Sequence, residues 1–277
     1  MITQNQISKL SNRLYKQFGG RRIPETILER DYCIAWFLVG LSYVPLRLKL
    51  VFKGGTALKR CYFADYRFSE DLDFTLLEEL SFEGLKKELE LVYEEVQKAS
   101  GIVFRFSRED SQSHQNSYTF YLSYEGPISN KEIKVDITLK EHLVHLPENR
   151  AVLKSYIEYT DLPEEKNIQV YSLHEITTEK VVALLDRART EPRDLYDLWH
   201  LAVSTRSVEL AEIKNAIQQK LEFRKKSLDE VCKEFSKKEP RLKKAWDARL
   251  SSQIIILPEF EGVYRAVKRE LRQAGIR

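Results

Sequence analysis

The sequence FKGGTALKRCYFADYRFSEDLDF, residues 52–74, holds a Gly-Gly-Thr turn that precedes an Asp-x-Asp pair by about sixteen residues. Glycine lets the backbone adopt positive φ values and come close to a ligand. A helix that starts at such a turn presents N–H groups that favour an anion such as a triphosphate. A threonine hydroxyl and a lysine charge, from Lys53 or Lys59, would strengthen the binding. The candidate anion-binding residues are Lys53, Gly54, Gly55 and Thr56.

The Asp-x-Asp pair ends this stretch and lies within residues 71–76, which read as a β-strand. Residues two apart in a strand face the same side, so Asp71 and Asp73 would point together while the apolar residues beside them face the core. Two neighbouring carboxylates repel each other unless a cation lies close to both. Mg²⁺ prefers oxygen ligands and is commonly held by one or two carboxylates and the phosphates of a substrate. The pair therefore predicts a metal site for phosphate chemistry.

A third carboxylate, Asp136, lies on the polar face of the alternating segment EIKVDITLK, residues 132–140. Alternation of apolar and polar residues with a period of two is the signature of a strand. If this strand lies beside the strand of Asp71 and Asp73, three carboxylates converge. Such a set suits two metal ions set roughly 3.5–4 Å apart, with Asp136 orienting the attacking hydroxyl.

Each of these signals has a simpler explanation when it is taken alone. A Gly-Gly-Thr sequence is usually just a turn, and an isolated Asp-x-Asp pair is usually surface charge. The order of turn, acidic pair and later acidic strand makes the combination far more specific than its parts. The sequence contains no Walker-type glycine loop and no Gly-x-Ser-x-Gly motif, so ATPase and hydrolase functions lose support.

Apolar periodicity predicts an α+β fold with a central mixed β-sheet between helical parts. The pattern indicates helices over residues 3–19, 24–42, 57–63 and 81–99, and strands over 48–53, 71–76, 102–109, 117–125 and 132–140. Past about residue 170 the pattern is helical to the end. We therefore expect an N-terminal helical segment at 1–48, a core domain at 49–170 and a C-terminal helical domain at 171–277.

The chain has 277 residues and a formal net charge of only +3, so contact with a nucleic acid would depend on local basic clusters. Such clusters could equally be solvated helix faces. They lie at Arg21–Arg22, Arg224–Lys226, Lys237–Lys238 and Arg241–Lys244. Three scattered cysteines favour reduced thiols, and the first residues do not resemble a signal peptide. We expect a cytoplasmic protein with no membrane partner.

The joint pattern resembles the nucleotidyltransferase superfamily related to DNA polymerase β, in which a glycine turn precedes Asp-x-Asp and a later strand carries a third Asp. More closely, the chain resembles the AbiEii family, the toxins of type IV-like toxin–antitoxin and phage abortive-infection systems, which includes the MenT toxins. The resemblance spans most of residues 25–201. The matching motifs are LERDY (28–32), FKGGTALKR (52–60), RFSEDLDF (67–74), KVDI (134–137) and EKVVALLDRARTEPRDLYDLWHL (179–201).

The resemblance implies that the core domain is a polymerase β-like nucleotidyltransferase core that uses an NTP with Mg²⁺, or Mn²⁺ in its place. It implies that Asp71 and Asp73 hold the metal and that Asp136 fills the third acidic position beside them. Lys180 matches a lysine that contacts the nucleotide, and Asp194 matches the acidic residue of the last motif.

Several of these roles have rivals. Asp197 is an equally spaced candidate for the role of Asp194, which could instead cap the helix that follows. Lys180 and Arg187 lie seven residues apart on one helix face, where two cations could meet a triphosphate or an RNA backbone, or could simply be solvated. Ser69 either caps a turn or, by the family resemblance, is a modifiable position of the nucleotide site, where a phosphate would oppose nucleotide binding.

The leading hypothesis is a metal-dependent nucleotidyltransferase toxin that binds an NTP between the glycine turn and the C-terminal helices. Family analogy implies transfer to the 3′ end of tRNA, a block of translation and a cognate antitoxin. The basic C-terminal helices would contact the RNA phosphates. Two alternatives stay open: a nucleotide- or RNA-binding regulator that has lost catalysis, and a transferase of the same fold acting on a protein or small-molecule hydroxyl.

Overall fold

The computed structural model describes residues 1–19, 21–110, 116–186 and 190–276. It divides into two compact units. The first comprises residues 1–141, 147–170 and 253–255, and the second comprises 142–146, 171–252 and 256–277. The expected three-part division of the chain stays a prediction.

The first unit is built around a seven-stranded mixed sheet. Its helices are α1 (Gln4–Phe18), α2 (Glu25–Tyr43), α3 (Gly54–Ala57) and α4 (Phe82–Ser100). Its strands are β1 (Leu50–Lys53), β2 (Leu72–Leu76), β3 (Val103–Glu109), β4 (Ser117–Glu125), β5 (Asn130–Thr138), β6 (Glu148–Ala151) and β7 (Asn167–Val170). The predicted α+β class with a mixed sheet and N-terminal helices is confirmed.

The strand order is β3-β4-β5-β2-β1-β7-β6, and the β2–β5 and β1–β7 pairs are parallel. Alternation explains the central strands, because every second residue of β5 is buried: Ile133, Val135 and Ile137. Helix α2 is buried along most of its length and packs against α4, which agrees with its nearly continuous apolar sequence. Asp73 of β2 and Asp136 of β5 are half-buried, each between buried apolar neighbours of its own strand.

The second unit is helical, as the sequence pattern predicts. Its helices are α5 (Leu173–Asp186), α6 (Pro192–Trp199), α7 (Lys214–Phe223), α8 (Leu228–Phe235), α9 (Glu239–Leu250) and α10 (Phe260–Gln273). Helix α6 starts at Pro192, which suits the first helical turn, and continues as one π-helical turn over His200–Ser204. None of the helices in the described part of the chain combines the length and apolar character that crossing a membrane requires.

Three local expectations differ from the structure. The helix expected over 57–63 begins earlier, because α3 starts directly at Gly54 and runs into a π-helical turn over Leu58–Tyr62. Strands β6 and β7 were not predicted, since each has only four residues and lies in a stretch without sustained alternation.

Candidate active site

Four polar residues lie in one straight row across four neighbouring strands of the sheet. Lys53 of β1 pairs with Asp73 of β2, Asp73 with Asp136 of β5, and Asp136 with Thr119 of β4. Residues paired in register project from the same face of a sheet. We call Lys53, Asp73, Asp136 and Thr119 the acid row. The sequence expectation that the strand of Asp136 lies beside the strand of Asp73 is met.

Asp136 is half-buried between two buried core residues of its own strand. Its Oδ2 atom accepts a hydrogen bond from the Thr119 hydroxyl at 3.3 Å. Within the described residues Asp136 forms no ion pair, and its directly paired neighbour on β2 is a second carboxylate. The negative charge of Asp136 is therefore oriented by a neutral donor and is not balanced by a cation of its own.

Two hydrogen bonds lie at the Lys53 end of the acid row and at the start of β2. The Lys53 amine donates to the Thr138 hydroxyl of β5 at 3.0 Å, across the intervening strand β2. Asp71 lies just before β2, and its carbonyl oxygen accepts a hydrogen bond from the Thr56 hydroxyl at 2.6 Å. This bond ties the glycine turn to the start of the acidic strand.

The two glycines are required by close side chains. Gly54 has φ of +80°, a conformation that favours glycine, and a Cβ added there would lie 2.7 Å from Asp73 Oδ2. A Cβ on Gly55 would collide with the guanidinium of Arg67 and would lie 3.3 Å from the Ser69 hydroxyl. The sequence predicted that the two glycines leave room for a ligand. In the structure the absence of a Cβ at these positions also leaves room for the side chains of Asp73 and Arg67.

The predicted helix after the turn begins at Gly54 without a side-chain cap from Lys53. Lys59 is not part of this turn, which corrects one expectation. Its amine is buried and donates to the carbonyls of Ala64 and Tyr66 and to the Tyr156 hydroxyl, each at 3.1 Å. Burial lowers the pKa of Lys59 to about 8. Of the two lysines considered for the phosphate-binding turn, only Lys53 lies in the acid row.

The charged residues of the LERDY motif fix the loops around the row, a role that sequence reasoning missed. Asp31 forms an ion pair of 2.9 Å with the buried Arg60, which lies in the helical segment that follows the glycine turn. Arg30 pairs with Glu70, the residue before Asp71. The signal was available, because a run of three charges inside an otherwise apolar helix must be paired to be buried.

Arg67 and Thr119 are further residues of the site that the sequence did not single out. Arg67 is buried, donates to Gln253 Oε1 at 3.2 Å, and lies against Gly55. Thr119 sits among the alternating residues of β4, where its partner depends on strand register and cannot be read from local sequence.

The donors present fit a divalent cation held by a carboxylate pair. Asp73 and Asp136 stand side by side, and Mg²⁺ commonly takes one or two carboxylates, completing its shell with water and phosphate oxygens. Within the described residues no group of three histidine, cysteine or acidic side chains has the spacing to hold a metal as a set. The three-carboxylate site of Asp71, Asp73 and Asp136 therefore stays a prediction, and the pair is the part that the sheet register supports.

A second charged cluster, of one lysine and two aspartates, lies in the helical unit. The Lys180 amine is 2.9 Å from Asp194 Oδ1 and 2.6 Å from Asp197 Oδ2, so both rival aspartates contact the same lysine. The Lys180 side chain keeps 12% of its exposure, which differs from the exposed cation that we expected. Asp194 is the third residue of α6 and the cap position is Glu191, so Asp194 is not the helix cap. Arg187 lies outside the described residues.

The C-terminal basic clusters are partly used inside the helical unit. The Lys238 amine is buried and donates to the carbonyls of Leu184 and Leu185, at 2.9 and 3.0 Å. Lys243 pairs with Glu261 at 2.5 Å. These two lysines are less available to an RNA than their sequence suggests.

Comparison with known proteins identifies the family. The family model described as nucleotidyl transferase AbiEii toxin, Type IV TA system, matches residues 36–269. A comparison with curated proteins finds no significant match. Among solved structures, the fold is similar to MenT4, a nucleotidyltransferase toxin from Mycobacterium tuberculosis, with a TM-score of 0.60 and 19% identity over 96% of this chain and 94% of MenT4.

JHP933 from Helicobacter pylori is similar to a comparable extent, with a TM-score of 0.55 and 17% identity over 91% of this chain and 93% of JHP933. At these identities the two structures support the fold, and the family match supplies the activity. From the family match and from the sheet that carries the acid row, we conclude that the chain belongs to the AbiEii family of nucleotidyl transferase toxins of type IV toxin–antitoxin systems and is a nucleotidyltransferase.

Proposed function

We propose that the protein transfers a nucleotide from an NTP to a hydroxyl acceptor in an Mg²⁺-dependent reaction, and that the acceptor is the 3′ end of tRNA. The observation that carries this proposal is the register of Asp73 with Asp136 on one sheet face, with Gly54 against the Asp73 carboxylate. Two carboxylates brought together beside an anion-binding turn are the arrangement that nucleotidyl transfer needs. Modification of tRNA ends would block translation and account for toxicity.

In this proposal Asp73 and Asp136 hold the divalent cation, with Asp71 as a further ligand. When bound, the cation would neutralise the phosphates of the NTP. Lys53 and the backbone N–H groups of the turn bind the phosphate oxygens, and Ser69 lines the same turn. By the family resemblance, Lys180, Asp194 and Arg187 are further candidates for contact with the nucleotide.

The transfer itself forms a bond between the acceptor oxygen and the α-phosphorus and breaks the bond from that phosphorus to the β-phosphate oxygen. Pyrophosphate leaves, and the hydroxyl proton passes to the Asp136 carboxylate. Thr119 donates to one oxygen of Asp136 at 3.3 Å and so orients the other oxygen toward the acceptor.

The test is labelling in vitro with each α-labelled NTP, Mg²⁺ and total RNA. Wild-type protein should label the tRNA fraction, and Asp136→Asn should reduce the rate by at least about a hundredfold, because it removes a charge that acts in the transition state. A matched control is Asp247→Asn, which removes an exposed carboxylate of α9 and should leave the rate unchanged.

The outcome of this experiment separates the alternatives. Label on a protein or a small molecule, with none on RNA, would mean that the reaction is nucleotide transfer but that the acceptor is not RNA. Tight RNA binding without transfer of any nucleotide, unaffected by Asp136→Asn, would favour a regulator that has lost catalysis. The family also implies an antitoxin partner, and co-expression of the cognate antitoxin should relieve growth arrest caused by the wild-type protein.

A further inference from the structure

The first 24 residues form a strongly cationic part of the first unit. They contain five basic residues and no Asp or Glu, and the first acidic residue is Glu25. The basic residues are Lys9, Arg13, Lys16, Arg21 and Arg22. A chain with a net charge of only +3 therefore concentrates positive charge at α1 and at the arginines that follow it.

The positive charge of α1 is gathered on its outer face, whereas its apolar face is used inside the unit. Ile7, Leu10 and Leu14 are buried. Five outer residues line an open groove along the helix: Lys9, Asn12, Arg13, Lys16 and Gln17. Their spacing of three or four residues places them on one helix face.

Most of these cations are available. Arg13 is held by Glu158 through two bonds of 2.7 and 2.8 Å, and Arg22 lies 3.9 Å from Glu25. In the part of the chain that the structure describes, the side chains of Lys9, Lys16 and Arg21 form no ion pair. Three exposed cations therefore face solvent without a carboxylate to neutralise them.

Two aromatic rings accompany the cations. Tyr15 is 50% exposed and Phe18 is 38% exposed, and they lie three residues apart at the end of α1. Exposed rings beside lysines and arginines provide surfaces on which unpaired bases stack. A protein partner would require a larger apolar centre than these two rings, because Ile7, Leu10 and Leu14 of α1 are buried.

A short chain of contacts joins this surface to the glycine turn within the same unit. The Arg21 backbone N–H donates to the Ile255 carbonyl at 3.3 Å. Two residues earlier, the Gln253 carbonyl accepts from the Phe68 N–H at 2.8 Å, and its side chain accepts from Arg67. Two residues span at most about 7 Å, so the backbone of Arg21, just beyond α1, is anchored close to the residues that pack against Gly55.

We propose that Lys9 and Lys16 on the outer face of α1, together with Arg21 beyond its end, bind the phosphate backbone of the RNA acceptor and guide its end to the glycine turn. This inference rests on the proposed function for the identity of the acceptor. It places RNA contact on the first unit, in addition to the C-terminal helices that the sequence suggested. The rings of Tyr15 and Phe18 would stack on unpaired bases of the same RNA.

The test measures binding of fluorescently labelled total tRNA whose 3′ hydroxyl is blocked by a phosphate, without NTP, as a function of salt. The triple variant Lys9→Gln/Lys16→Gln/Arg21→Gln should weaken binding at least about tenfold at 0.1 M salt and lower the slope of log K against log salt by about 2 to 3. The matched control is Lys87→Gln/Lys98→Gln/Lys131→Gln, which removes the same charge from exposed positions of the same unit and should change neither quantity appreciably.

Because the blocked RNA cannot accept a nucleotide, the result does not depend on catalysis. If nucleotide transfer to RNA fails while the triple variant weakens binding and the control does not, the surface stands and the proposed function falls. If transfer succeeds while both triple variants bind equally, the surface is overturned and the proposed function stands. If the triple variant of Lys9, Lys16 and Arg21 loses binding to anionic phosphatidylserine vesicles while its RNA affinity is unchanged, the proposed RNA surface is also overturned.

If the triple variant does not fold, the proposal can still be tested with single variants. The single variants Lys9→Gln and Lys16→Gln alter exposed positions of α1, and each should lower the salt slope by about 1. An unchanged slope in both would contradict the proposal.

Discussion

Asp136 and Asp197 are two aspartates with opposite surroundings. Asp136 is half-buried on the sheet, accepts a hydrogen bond from Thr119, and stands beside Asp73. Asp197 is fully buried in α6 and lies 2.6 Å from the Lys180 amine. The charge of Asp197 is balanced within the fold, whereas in the described part of the chain Asp136 has a hydroxyl and a like charge for neighbours. The surroundings of Asp197 serve stability, and those of Asp136 are suited to an external cation.

The largest expected effect on stability is at Asp197. Asp197→Asn should lower the free energy of unfolding in urea by roughly 2–3 kcal/mol, because the fully buried side chain loses a charged hydrogen bond to Lys180, which keeps Asp194 as its counter-ion. Asp194→Asn should cost less, since its side chain keeps 9% of its exposure and Lys180 retains the closer contact to Asp197. Equal, small losses at both positions would show that the Lys180 cluster is not what holds α5 to α6.

The next effect concerns the backbone that presents the acid row. Gly54→Ala should lower the free energy of unfolding by about 1–3 kcal/mol, because it places a side chain at φ of +80° and 2.7 Å from Asp73 Oδ2. Gly262→Ala is the matched control: no atom lies within 4 Å of the added Cβ, and the position is in helix α10. That variant should be more stable by up to about 1 kcal/mol, since alanine restricts the unfolded chain. An identical response at both glycines would remove the structural reason for Gly54.

The sequence predicted the carboxylates of the acid row better than it predicted the residues around them. Alternation alone assigns Asp73 and Asp136 to polar faces, and the strand pairing observed here puts those faces together. The position of Thr119 could not be predicted, because a partner across strands depends on register. Its place after the turn made Lys59 a candidate phosphate ligand. Its amine instead points into the core and donates to the Tyr156 hydroxyl. The position of a residue around a helix decides which side its side chain faces.

The helical unit was predicted less well for a related reason. Lys180 lies in a helix whose apolar stripe was evident, but the two aspartates that contact it are 14 and 17 residues further along the chain, on α6. Only the packing of α5 against α6 brings them together. For the same reason Asp194 and Asp197 could not be ranked from sequence, and in the structure they share one lysine.

The smallest effect on stability is the most informative one. Asp136→Asn should change the free energy of unfolding in metal-free buffer by no more than about 0.5 kcal/mol, and upward if at all, because it removes a like charge directly opposite Asp73. The amide oxygen of the substituted side chain can still accept from Thr119, so the hydrogen bond is not lost. Mg²⁺ with a non-hydrolysable NTP analogue should raise the melting temperature of the wild type and not of the variant, since only a ligand bound to the folded state stabilises it. A large destabilisation of Asp136→Asn without ligand would mean that Asp136, like Asp197, is a structural charge, and the contrast between the two aspartates would disappear.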